Sequence, residues 1–141
     1  MTIAIKRVYE PASRTDGTRI LVDRLWPRGL SKEKAAIAEW LRDVAPSDDL
    51  RHWYHARPTQ WAAFRTRYLK ELAQPECEVA LRRLYELSNQ KKRLTLLFGS
   101  KNEVQNNAVV LKELLEGARK PPKGTGPVGA VGARRAAVRR R

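Results

Sequence analysis

Residues 94–98, Leu-Thr-Leu-Leu-Phe, lie between the bases of Lys91-Lys92-Arg93 and the polar turn Gly99-Ser100-Lys101-Asn102. An apolar run of this length without alternation fits a strand covered on both faces, and such strands belong to parallel sheets. The rest of the chain agrees. Ile3–Tyr9 is rich in β-branched residues and reads as a first strand, ended by Pro11, with a turn at Asp16-Gly17. Arg19–Leu25 reads as a second strand and Ile37–Val44 as a third, closed off by Pro46.

Helices fill the intervals. Ser31 caps a short turn over 32–36, and Ser47 with Asp48 and Asp49 opens a short helix that runs to Tyr54. Pro58-Thr59 opens a helix with Trp61, Phe64, Tyr68 and Leu72 on one face. Pro75-Glu76 opens another, with Cys77, Ala80, Leu81, Leu84 and Leu87 aligned. A final helix over 103–116 places Val104, Ala108, Leu111 and Leu115 together and stops at Gly117. Strands alternating with helices predict an α/β fold: a small, mostly parallel sheet of about four strands with helices packed on it.

The 141 residues suit one domain, and 42% apolar with 31% charged residues fits a soluble one. The net charge of +14 is unevenly spread. From Ala118 onward there are eight Lys and Arg and no acid, among them Arg134, Arg135, Arg139, Arg140 and Arg141. This Gly/Pro/Ala-rich segment has nothing larger than valine to bury, so it is expected to be a disordered tail, 118–141, on a domain spanning 1–117. It reads either as a solubilising extension or as an arm for a polyanion such as nucleic acid. The single cysteine, Cys77, excludes an intramolecular disulfide and fits a reducing compartment. The start MTIAIKRVYE lacks the apolar core of a secretory signal, and no run approaches a membrane span, so a cytoplasmic location is expected, with no membrane partner.

Most conspicuous residues have plain structural readings. The four tryptophans suit the core or its margin. Cys77 lies on an apolar stripe and reads as a small buried side chain. His52 and His55 share a helix face without the further ligands a zinc site needs, so no metal and no cofactor is expected. P-loop, GxGxxG and GxSxG signatures are absent.

Two stretches stand out, Asp23-Arg24-Leu25-Trp26-Pro27-Arg28-Gly29 and Leu97-Phe98-Gly99-Ser100-Lys101-Asn102. In open α/β sheets, ligands bind beyond the carboxyl ends of the strands, and a following helix N-terminus attracts anions. Arg24, Arg28, Ser100 and Lys101 are therefore the candidate anion contacts, with Asp23 the one candidate acid/base group. If the strand runs through 25, alternation sends Asp23 and Arg24 to opposite faces. The structural alternative makes Asp23 and an arginine a buried pair that fixes the loop.

These same stretches resemble the short, YeaO-like branch of the family called domain of unknown function 488. The resemblance covers RVYEP (7–11), DGTRILVDRLWPRGLSKEKAAI (16–37), EWLRDVAPS (39–47), WYHARPTQWAAFRTRY (53–68) and LTLLFGSKNEVQNNAVVLKELL (94–115). It implies an α/β fold in a bacterial or archaeal cytoplasmic protein, and it implies no activity. Asn102 and Gln105 depart from the Asp and His that the family tends to carry there. The segment after Gly117 falls outside the resemblance. Three functions fit: binding of a phosphorylated small molecule or nucleic acid through a basic crevice, hydrolase or transferase chemistry through Asp23, or an interaction module whose arginines are structural.

Overall fold

The computed structural model describes residues 2–117. Four strands form one sheet: β1 (Thr2–Arg7), β2 (Thr18–Leu21), β3 (Glu39–Trp40) and β4 (Arg93–Phe98). Their order is β1-β4-β2-β3 and every pairing is parallel. β4 is therefore central. Five of its six residues, Leu94 to Phe98, are buried, as its run of large apolar residues leads one to expect, and the one polar member, Thr95, donates its hydroxyl to Asp16 O. The α/β expectation holds.

The α-helices are α1 (Lys32–Ala35), α2 (Asp48–Ala56), α3 (Trp61–Leu72), α4 (Glu78–Gln90) and α5 (Asn107–Gly117). Ile20, Leu94, Leu96 and Phe98 face one side of the sheet, where α3, α4 and α5 supply Phe64, Tyr68, Leu81, Leu84 and Leu111. Leu21 and Leu97 face the other side, with Val8. Among the described residues no long helix covers that side. Trp26, Leu30, Ile37 and Trp40 pack there instead, and the indoles of Trp26 and Trp40 meet edge to face at 5.5 Å. The tryptophan of the Asp23–Gly29 stretch is thus part of the cover for the sheet's second face. All four tryptophans are half-buried, as expected, and Cys77 is buried.

Several element boundaries differ from the sequence expectation, and three of them bear on the site. The second strand ends at Leu21, not Leu25, although Val22 N–H still donates to Leu97. Beyond that point side chains replace the ladder. The Asn107 amide donates to Val22 O at 2.9 Å and the Trp40 indole to Asp23 O at 2.7 Å. The third strand keeps only Glu39–Trp40, and Arg42–Val44 is a 3-10 turn. The last helix starts at Asn107 rather than 103. Asn102 Oδ1 accepts from the N–H groups of Val104 and Gln105, and Asn106 Oδ1 accepts from Val109. Such local side-chain bonds compete with helix and postpone its start.

The amino end of β2 is closed. Asp16 accepts from Arg19 Nη1 at 2.7 Å and from Lys6 Nζ at 3.0 Å, and Arg19 Nε and Nη2 both donate to Ala35 O. Gly17, at φ 66°, is needed there: a Cβ would lie 2.4 Å from Arg93 O. The tail and its arginines lie outside the described residues.

Candidate functional site

β2 and β4 are neighbours, but the chain leaves their carboxyl ends in different directions. After β2 it runs to the loop that packs with Trp40 of β3, while after β4 it runs to α5, which packs against β1 and β4. A crevice between two neighbouring parallel strands is expected where their connections diverge. A cleft of about 750 Å³ lies there, within the range of small-ligand sites.

Asp23, Arg24, Ser100 and Lys101 all line this cleft. Asp23 and Arg24 share it because β2 has already ended, so strand alternation no longer separates them. Arg28 does not line it. Its side chain is exposed on the loop, and its carbonyl accepts from Tyr9 Oη at 3.2 Å. The structure does not bring it together with the other three candidates: the chain turns away at Trp26 to cover the second sheet face.

Asp23 has no salt-bridge partner among the described residues, so its pairing with an arginine is also corrected. Its Oδ2 accepts from Gly99 N–H at 2.7 Å and its Oδ1 from the Asn107 amide at 3.1 Å. Burial raises its pKa from the ordinary carboxylate value, opposed by these two hydrogen bonds and by the charge of Arg51. Arg24 is a strut. Its Nε donates to Pro46 O and its Nη2 to Ala45 O, both at 3.1 Å.

The loop after β4 is tied from below. Arg7 Nε donates to Ser100 O at 2.9 Å and Nη2 to Gly99 O at 3.2 Å. Ser100 Oγ accepts from Asn102 N–H, which leaves its own proton free to donate. Lys101 is exposed at the rim. Since α5 begins only at Asn107, the turn built on Asn102 separates this loop from the helix N-terminus that the sequence placed directly beside it.

Sequence reasoning did not place Arg51, Tyr54 and His55 at the cleft, to which α2 adds them. The only available signal was their spacing, since positions 51 and 55 lie one turn apart on a helix. Asn107, the anchor of Asp23, gave no signal. Among the described residues no cluster of three or more His, Cys, Asp or Glu is arranged to hold a metal, and no helix is long and apolar enough to cross a membrane.

The cleft's surroundings coincide with the stretches that carry the family resemblance, and a family model described as the inactive DUF488-N3 subclade matches residues 2–127. The chain belongs to the DUF488 family. The match runs ten residues past Gly117, so the earlier limit of the resemblance is corrected. The uncharacterized protein YeaO of Escherichia coli strain K12 is 49% identical over 115 residues, covering 82% of this chain and 97% of the relative. An uncharacterized protein of Mycobacterium tuberculosis is 37% identical over 115 residues, covering 82% and 94%. No solved structure matches.

Proposed function

We propose that this DUF488 protein binds a phosphate-bearing small ligand in the cleft at the carboxyl ends of β2 and β4, and binds it without turning it over. One observation carries the reading: Arg24, Arg51 and Lys101, together with the Ser100 hydroxyl, line a single cleft large enough for a small molecule. Cations and a hydroxyl donor lining a partly apolar recess suit an oxyanion, although Arg24 also holds two carbonyls and Arg51 also pairs with Asp48. The subclade's description as inactive supports binding over catalysis. Calorimetry of the full chain with inorganic phosphate at low salt tests it. Lys101→Ala and Arg51→Ala should each weaken binding severalfold; binding that neither variant alters would remove the cleft from consideration.

One observation favours a hydrolase or transferase instead, in which Asp23 would be the acid/base group. Its raised pKa moves it toward the range where a carboxyl exchanges protons at working pH. Turnover of a phosphorylated substrate that Asp23→Asn abolishes would establish that reading. Nucleic acid is the third ligand class, supported by the eight bases from Ala118 onward. Deleting 118–141 should then lower the slope of log affinity against log salt by several units, at about 0.9 per phosphate neutralised.

A further inference from the structure

Beyond its cations, the cleft has an apolar wall. Leu25, Pro46, Tyr54 and Pro58 line it. Leu25 is 57% exposed and packs in neither hydrophobic cluster, so the fold gives no reason for a large aliphatic side chain at this position. Tyr54 is held from behind, its ring stacked on Phe64 at 4.4 Å between centroids and 21° between planes. An aromatic ring braced in this way is a firm surface for a flat ligand.

Asp23 argues in the same direction. A recess for a bare phosphate gains nothing from a carboxylate, which repels it. Each oxygen of Asp23 accepts one hydrogen bond, and a carboxylate has about four acceptor positions. The group can therefore take further donors from a ligand, such as sugar hydroxyls or a ring amine. Cations, an apolar wall with a braced ring and an acceptor carboxylate together describe a ligand with three parts.

We infer that the cleft takes a nucleoside monophosphate, with the base against Leu25 and Tyr54, the phosphate toward Arg51 and Lys101, and donor groups of the ligand on Asp23. The inference rests on the phosphate-binding reading and names its ligand class. A cleft of about 750 Å³ accommodates a molecule of this size.

Calorimetry of the full chain against the four common ribonucleoside monophosphates, ribose 5-phosphate and inorganic phosphate tests it. The best nucleotide should bind at least about tenfold more tightly than ribose 5-phosphate, the equivalent of one apolar contact surface of moderate size. Leu25→Ser should reduce nucleotide affinity about fivefold and leave ribose 5-phosphate unchanged, since only the base meets that wall. Leu25 lies outside the core, so an unchanged melting temperature serves as the folding control. If ribose 5-phosphate binds as tightly as every nucleotide, the base wall is wrong and the phosphate site survives. If nothing phosphorylated binds, both readings fall. Nucleotide binding indifferent to both Leu25→Ser and Lys101→Ala would place it elsewhere on the chain and overturn the assignment.

Discussion

The two ends of β2 carry the same pair of residue types and use them in opposite ways. At the amino end, Asp16 and Arg19 pair directly, Lys6 joins them, and Asp16 and Arg19 are almost wholly buried. At the carboxyl end, Asp23 and Arg24 are adjacent in sequence but do not pair. Asp23 is held by a backbone N–H and an amide, and Arg24 by two carbonyls. The first arrangement consumes its charge within the fold. The second fixes both side chains through neutral groups and leaves two opposite charges unpaired at a cleft. An acid and a base close together in sequence thus reveal little until their hydrogen-bond partners are known.

The largest effect should come from the closed end. Asp16→Ala leaves Arg19, which is 4% exposed, without its counter-ion. The loss should be about 3–5 kcal/mol by urea denaturation, the range for breaking a buried pair from one side. A loss below about 1 kcal/mol would mean that solvent reaches this network and that the contrast between the two ends is false.

Asp23→Ala should cost less, about 1–3 kcal/mol, because it orphans the Gly99 N–H and the Asn107 amide rather than a charge. The same denaturation curves decide this. A loss equal to that of Asp16→Ala would show that Asp23 is as deeply structural as its counterpart.

Acidity should separate the ends by sign. Burial would raise the Asp16 pKa, but hydrogen bonds from the Ser13 N–H, Lys6 and Arg19 outweigh it, and the value is lowered. The stability Asp16 contributes is therefore present above the unfolded carboxyl value and lost as pH falls through the native one. Asp23 is raised. Its contribution is complete below the unfolded value and lost as pH rises through the native one. Melts of Asp16→Asn and Asp23→Asn between about pH 3 and 6 should diverge. Relative to the parent, the first should fall further behind as pH rises, and the second should gain. Parallel trends would contradict the opposite environments assigned to the two carboxyls.

The smallest effect should be that of Arg28→Ala, at most about 0.5 kcal/mol in thermal melts, because its side chain is exposed and its hydrogen bond with Tyr9 is made by the backbone carbonyl, which the substitution keeps. Phosphate binding should be unchanged as well. A clear loss of binding would return Arg28 to the cleft and extend the open end of β2 beyond Arg24.

The sequence by itself determined most of the element types and the burial of β4. A predominantly apolar run without alternation, apolar residues three and four apart on α3 and α4, and a serine before two acids at α2 are local patterns. The structure reproduces them because burial period and capping depend on near neighbours. The same local logic located Asp23, Arg24, Ser100 and Lys101 near one sheet edge, and placed Arg28 there as well, which does not line the cleft. Tertiary structure decided what those residues do. Gly99 and Asn107 reach Asp23 from 76 and 84 positions away, and the carbonyls of Ala45 and Pro46 reach Arg24 from 21 and 22. Where β2 ended was settled the same way, by the Asn107 amide and the Trp40 indole taking the place of ladder donors. Such partners are brought together only by strand register and helix packing. No spacing along the chain encodes them, because a buried polar group can be satisfied by any donor that the fold carries to it.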